Sequence, residues 1–328
     1  MRRIIGAAMM ASGLLAASNA MAFDLQGHRG ARGLAPENTL EAFRTALAIG
    51  VSTLELDLAM TRDGVLVVSH DSVLNPDHTR GPDGNFLAAA GPAIRSLTLA
   101  EVKRYDVGRL KPGTSYAARF PQQQGMDGVR IPALSEVFDL VRQAKADHVR
   151  FNIETKLTPT SGADTPDPDS FAAAMATAVR DAGLAQRVSL QSFDWRTLVA
   201  MRRIAPEIER VCLTVEDGSE DTIQRGRPGA SPWTAGLDVD DVGGSVPRLV
   251  AAADCAVWSP YFGNLTAETM AESHSLGLRV IPWTVNEQPD MERMIKLGVA
   301  GIITDYPDRL RAVMAAKEMP LPPRAPAR

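Results

Sequence analysis

The chain has 328 residues, 45% hydrophobic and 23% charged, with a formal net charge of -4. That composition supplies a large core, and a mildly acidic chain without a long Lys/Arg block argues against nucleic acid as a partner while leaving a small anionic ligand open. Its two cysteines, Cys212 and Cys255, stand in no CxxC or Cys/His pattern, which excludes a cysteine metal site; they read as two buried thiols, with a disulfide as the alternative in an oxidising compartment.

Residues 1–22 read as a signal peptide. Met1-Arg2-Arg3 gives a basic start, the apolar run behind it is too short for a comfortable membrane span, and Ala20-Met21-Ala22 supplies the small-x-small cleavage pattern. The mature chain is expected to begin at Phe23 and to be secreted, into a periplasm, with an uncleaved N-terminal anchor as the alternative. No later stretch is long and apolar enough to span a membrane, so no integral membrane segment is expected in the mature chain.

From Phe23 onward, short β-rich runs alternate with segments of helical period, which calls for parallel strands joined by helical crossovers. Asp24 to Gly27 is the first strand. Thr39 to Ile49 places Leu40, Phe43 and Leu47 on one helical face until Gly50 stops it. TLELDLAM (residues 53–60) is the second strand, and Arg62-Asp63-Gly64 turns the chain so that VLVVSHD (65–71) returns beside it, bringing His70 near the acidic strand. Residues 75–130, rich in Gly, Pro and Gln with one weak helix at Leu99 to Arg104, read as an insertion.

Leu134 to Ala144 is then helical, and VRFNIETKL (149–157) is the third strand. SFAAAMATAVRDAG, RVSLQSF, DWRTLVAMRRI and RVCLTV continue as helix, strand, helix, strand. A polar connection and a helix near Pro247 to Ala252 lead to CAVWSPYF, TAETMAESHSLG, RVIPWTV, DMERMIKLG, GIITDYP and DRLRAVMAA. Eight strand–helix units over residues 23–318 predict an α/β fold, a (β/α)8 TIM barrel with a long insertion after strand two; residues 319–328 are expected to be a disordered tail.

Catalytic groups of such barrels lie at the C-terminal ends of strands. Glu55 and Asp57, two apart, face the same side of the second strand, and Glu154 with Lys156 repeats the spacing next door. Three carboxylates brought together in a low-dielectric setting repel unless a cation joins them, and all-oxygen ligation favours Mg2+, Ca2+ or Mn2+ over Zn2+. A purely structural account, in which Lys156 and Arg29 neutralise the acids as a buried ion-pair network, is the competing one. His28 and His70 arrive beside these acids with proton affinities suited to general acid and base work, or as metal ligands. Arg29 and Lys156 add positive charge fit for a phosphate. His78, His148 and His274 read as structural or solvated groups apart from the cluster.

The segments HRGARGLAPENTLEAF (28–43), ELDLAMTRDGVLVVSHD (55–71) and IETK (153–156) strongly resemble the glycerophosphodiester phosphodiesterase family, and RIPALSEVFDL, QSFD, IPWTVN and IITDYPD are similar to its later segments. The resemblance covers nearly the whole mature chain. It implies metal-dependent hydrolysis of a small glycerophosphodiester to glycerol 3-phosphate and an alcohol. It further implies that His28 and His70 are the acid/base pair, that Arg29 and Lys156 contact phosphate, and that Glu55, Asp57 and Glu154 hold the divalent cation. Glu37 and Asn38 match a segment near the family's site, while Pro36-Glu37-Asn38-Thr39 also reads as a cap on the first helix, a role that Asn or Thr fills well. Trp283 reads as either a pocket wall or packing. HDSVLNPDHTR departs from the family's Arg-Thr pattern after the His-Asp pair, which opens the alcohol-side specificity. Two other functions compete: a phospholipase D- or C-like enzyme on lysophospholipids, which would carry apolar residues around the mouth, and a secreted protein that binds phosphodiesters without cleaving them.

Overall fold

The computed structural model describes residues 22–325; the leader expected over residues 1–22 lies outside them except for Ala22. The first strand, β1 (Asp24–Gly27), is buried along its whole length. Helix α1 (Leu40–Ile49) follows, its first turn closed by the Thr39 side chain accepting the Ala42 N–H and its last by Gly50 in the left-handed region. Strand β2 (Thr53–Met60) is buried at all eight positions, and β3 (Leu66–Val68) returns antiparallel to it after Gly64 supplies a positive φ.

The insertion is more ordered than its composition suggests. It folds over a small core of Leu74, Ile94, Val102, Val107, Val129 and Ile131 and carries two short helices, α2 (Leu99–Val102) and α3 (Ser115–Arg119). Sequence reading finds α2 and misses α3, because a five-residue helix with no buried residue leaves no apolar period to detect.

The remaining units run α4 (Leu134–Gln143), β4 (Arg150–Thr155), α5 (Pro168–Asp181), β5 (Val188–Ser192), α6 (Trp195–Ile204), β6 (Glu209–Thr214), α7 (Val246–Ala252), β7 (Val257–Pro260), α8 (Ala267–Ser275), β8 (Arg279–Val280), α9 (Gln288–Leu297), β9 (Gly301–Thr304) and α10 (Pro307–Ala316). Eight strands pair in parallel in the order β8-β7-β6-β5-β4-β2-β1-β9, with β3 as an outlier on β2. Between β8 and β9 there is no full ladder, since Pro282 has no N–H to give. Bonds from the Ala300, Ile303 and Val285 amides to the carbonyls of Val280, Pro282 and Ile303, 2.8 to 3.0 Å long, draw the two together into a nearly closed (β/α)8 barrel.

Two expectations are corrected. Cys212, in β6, and Cys255, just ahead of β7, are disulfide-bonded with Cα atoms 5.9 Å apart, where sequence reading favoured separate thiols. The pairing follows from β6 lying beside β7 with Cys212 opposite Trp258, a neighbour relation that 43 residues of separation conceal. The C-terminal segment is not disordered as far as Ala325: the Arg311 guanidinium donates to the Pro322 carbonyl at 2.7 Å and the Ala325 N–H to the Leu47 carbonyl at 3.0 Å, so backbone bonding to α1 and α10 replaces regular structure. Among the described residues no helix is long and apolar enough to cross a membrane.

Candidate active site

The chain leaves β1 through a sharp turn. A Cβ on Gly27 would lie 2.1 Å from the Gly30 carbonyl oxygen, so only glycine permits that approach. Arg29 itself sits at a φ of 49°, unusual for a side-chain-bearing residue, and the turn is secured by its N–H donating to Glu55 Oε2 at 2.7 Å. The guanidinium donates to Glu37 at 2.6 Å and lies 3.3 Å from Asp57, with its buried Nε lacking a hydrogen bond.

His28 Nδ1 pairs with Asp305 Oδ1 at 2.6 Å, just past β9, which leaves Nε2 facing Glu55 Oε2 at 3.9 Å. Asp305 is itself held by Arg32 through two bonds and by the Asn286 amide at 2.7 Å. Burial pushes the His28 imidazole down to about 4, reinforced by Arg32 and opposed by Asp305, so the ring is neutral at neutral pH. Burial alone would raise the Asp305 carboxyl, but Arg32 and His28 hold it well below the usual carboxylate range.

His70 lies past β3 with Nδ1 2.8 Å from Asp71 Oδ1, and the Asn75 amide fixes the other Asp71 oxygen at 2.7 Å. Burial drives this imidazole well below its ordinary value too, and Arg29 and Lys156 add to the effect. His78, expected to stand apart, instead lies 4.0 Å from Asp71, with its ring 6.1 Å from that of Tyr116; the path of the insertion, invisible to local pattern, brings it there.

Glu55, Asp57 and Glu154 are all buried, and one oxygen of each falls within 4.8 Å of the others. Burial and the neighbouring carboxylates raise Glu55 well above its ordinary value and bring Glu154 up to about 7, though Lys156 opposes the latter. Asp57 is held low because Arg29, His70 and Lys156 outweigh its burial. Lys156 lies 2.9 Å from Glu154 and 4.0 Å from Asp57. The chain's own cations therefore favour the ionised form of Asp57 but leave Glu55 and Glu154 raised, and an all-oxygen cluster short of positive charge fits a hard divalent cation.

Glu37 and Asn38 both serve the site, and the capping role falls to their neighbour Thr39. Thr39 caps α1, while Asn38, at a φ of 55°, donates to Asp57 Oδ2 at 2.9 Å. Glu37 binds Arg29 and the Tyr116 hydroxyl, so helix α3 of the insertion is tied to the site. The Trp283 indole donates to the Ser259 carbonyl at 3.0 Å and packs edge-on against Phe193, with ring centroids 5.3 Å apart, serving as wall and packing at once.

These groups line a cleft of about 170 Å3, and His70, Glu154, Lys156 and Phe193 also border a larger groove of about 540 Å3 that continues past Val73, Pro76, Leu157 and Trp233. Sequence reasoning missed Asp305, Arg32, Tyr116, Gln191 and Phe193. Asp305 and Gln191 were reachable by the strand-end rule already applied to Glu55; Tyr116, in an insertion without periodicity, was not.

The sequence profile of the Glycerophosphoryl diester phosphodiesterase family matches residues 28–309. A glycerophosphodiester phosphodiesterase of Caldanaerobacter subterraneus is 30% identical over 86% of this chain and 94% of its own length. A crystal structure from Silicibacter pomeroyi, of a protein that carries the family's name provisionally, superposes with a TM-score of 0.80 at 36% identity over 91% of this chain and 95% of that one. An Oleispira antarctica phosphodiesterase, solved with its product sn-glycerol-3-phosphate, shares the fold at 22% identity and a TM-score of 0.62, over 88% of this chain and 96% of its own.

Proposed function

The chain belongs to the glycerophosphoryl diester phosphodiesterase family and is a glycerophosphodiester phosphodiesterase, and from that premise we propose that it cleaves its substrate with a divalent cation and two histidines. The observation that carries the reading is that two carboxylate-braced imidazoles, His28 and His70, line one cleft together with the Glu55, Asp57, Glu154 cluster. Glu55, Asp57 and Glu154 would hold the cation, Ca2+ or Mg2+ with Mn2+ as a third candidate. When bound, such an ion supplies Lewis-acid charge that offsets the charge growing on the phosphate oxygens.

The remaining chemistry falls to the chain's own side chains. Arg29 and Lys156 face the cleft and meet the diester's negative charge. His28, neutral and with Nδ1 committed to Asp305, offers Nε2 to take a proton from the attacking oxygen, whether that belongs to water or to the substrate's adjacent hydroxyl. As that oxygen bonds to phosphorus, the bond to the alcohol oxygen breaks and His70 protonates the departing alkoxide. His70 is assigned to the leaving side because it alone of the two borders the larger groove, which suits the alcohol. The anionic diester, bound beside it, would raise the proton affinity that burial, Arg29 and Lys156 lower.

The larger groove is bordered by Val73, Pro76, Leu157, Phe193 and Trp233, an apolar wall that also suits the acyl chain of a lysophospholipid, the second substrate reading. Export to a periplasm is supported by the N-terminal leader pattern and by the Cys212–Cys255 disulfide, a bond favoured in oxidising compartments.

The test is phosphorus NMR of glycerophosphocholine and of the 4-nitrophenyl diester of glycerol 3-phosphate. Glycerol 3-phosphate should form from both with wild type, while His70→Ala should fail on the first and retain much of its rate on the second, whose leaving group needs no proton. Equal loss on both substrates would reject the His70 assignment. Intact substrates with folded, cation-loaded wild type would turn the reading to a binding protein.

A further inference from the structure

Beneath the carboxylate cluster, a run of amide side chains crosses the barrel interior. Gln191 Nε2 donates to Glu55 Oε1 at 2.7 Å, and Gln191 Oε1 accepts from Asn152 Nδ2 at 2.8 Å. The same Asn152 nitrogen donates to Gln26 Oε1 at 3.0 Å, and Gln26 Nε2 donates to Asp24 Oδ2 at 2.9 Å. Asp24 is anchored at the far end by Arg150 at 2.6 Å and by the Thr53 hydroxyl at 2.7 Å. Gln26, Asn152, Gln191 and Glu55 are each at most 3% exposed.

The chain has a fixed direction. A carboxamide carries its donors on nitrogen and its acceptors on oxygen. Asn152 Nδ2 directs one proton at each glutamine oxygen, so each glutamine can turn only its NH2 group outward, Gln26 onto Asp24 and Gln191 onto Glu55. The Ser189 hydroxyl donates to Asn152 Oδ1 at 3.0 Å, and the direction is set from the two ends, where the carboxyl oxygens of Asp24 and Glu55 accept from the glutamine nitrogens. A flipped Gln191 would set its oxygen against the Glu55 carboxylate. The register makes these contacts unavoidable, because Asn152 stands opposite Glu55 and Gln191 opposite Glu154 on neighbouring strands.

We propose that Gln191, oriented by Asn152, is a positioning residue for the cation: it fixes Glu55 through Oε1 while the Arg29 amide fixes Oε2, so the carboxylate enters the cluster in one orientation. Groups that hydrogen-bond a ligating carboxylate govern how well it binds a metal, and their loss typically weakens affinity about 10- to 100-fold. The inference rests on the cation reading given under Proposed function. Its competitor is that the amides only satisfy one another in the barrel core, in which case their loss lowers stability and leaves cation affinity alone.

Calorimetric titration of the purified protein with Ca2+, beside thermal unfolding in chelator, separates the two. Gln191→Met keeps the length and removes the donor, and should weaken Ca2+ about 10- to 100-fold. Gln191→Asn, a smaller change that falls one methylene short of Glu55, should weaken it in the same direction and serves if the Met variant does not fold. Asn152→Leu should act likewise, and the double variant with Gln191→Met should bind no worse than Gln191→Met alone, because Asn152 acts through Gln191. Folded Gln191 variants that bind Ca2+ within twofold of wild type would overturn the inference while leaving the cation reading intact. Additive losses in the double variant would overturn the part given to Asn152. A wild type that binds no divalent cation would overturn the cation reading and this inference with it.

Discussion

Strands β1, β2, β4 and β5 turn Gln26, Glu55, Asp57, Asn152, Glu154 and Gln191 into the barrel, whereas β6, β7, β9 and the residue that follows β8 contribute a cluster of Val211, Val257, Ile303 and Ile281. Layers of branched aliphatic side chains are the usual filling of such a barrel. The apolar half follows that pattern and is held by burial, which tolerates exchange of similar shapes. The polar half is built from groups that cost free energy when buried unless each finds a partner, and its side chains interlock accordingly. One half maintains the fold and the other is fixed in detail for a task, so substitutions should affect stability in the first and chemistry in the second.

The largest contrast should come from the histidines at the rim of the polar half. His28→Ala is expected to lower kcat by about 10²- to 10⁴-fold with an unchanged circular dichroism spectrum, the range typical of a lost general base. Steady-state release of glycerol 3-phosphate measures it, and a loss below tenfold would detach His28 from the chemistry. Asp305→Asn should approach the same loss, about 10²-fold or more, because an amide in place of the carboxylate no longer fixes the His28 tautomer; the pH–rate profile should shift with kcat while KM changes little.

Glu154→Gln sharpens the comparison by setting stability against function in one residue. The Glu154 carboxyl is raised from 4.5 to about 7 in the folded chain, so what it contributes to stability is present below pH 4.5 and is lost as pH rises through 7. In chelator, the stability of the glutamine variant relative to wild type should therefore rise by about 3 kcal/mol between pH 4.5 and pH 8, as urea unfolding at the two pH values would reveal. The same variant should bind Ca2+ more weakly. In the apolar half, Ile303→Val should cost about 1 kcal/mol and leave kcat within a factor of about two, since Ile303, although it borders the cleft, loses one buried methylene and no polar group.

Much of this architecture is legible in the sequence. Eight strand–helix units repeat with clear period, and Glu55 and Asp57 declare themselves because carboxylates two apart in an apolar strand have no ordinary reason to be there, with Glu154 and Lys156 repeating the spacing next door. Gln191 is harder to see: in RVSLQSF it is one uncharged polar residue, and only its register against Glu154 and its bond to Glu55 reveal that it faces inward onto a carboxylate. Asp305 ends its strand as His28 follows its own, yet their pairing joins residues 277 apart, which no local pattern conveys. Tyr116, His78 and the disulfide were hidden for the same reason, since each owes its position to how the loops and strands meet.

The central claim is that the polar half of the barrel is a cation-dependent catalytic centre. Its most direct test is release of glycerol 3-phosphate from glycerophosphocholine by the purified protein, before and after exhaustive chelation and after Ca2+, Mg2+ or Mn2+ is restored one at a time. Activity that vanishes on chelation, returns with one of these ions, and is absent from Asp57→Asn at every ion concentration is the predicted result. Full activity in the chelated protein, or an undiminished rate in Asp57→Asn, would contradict it.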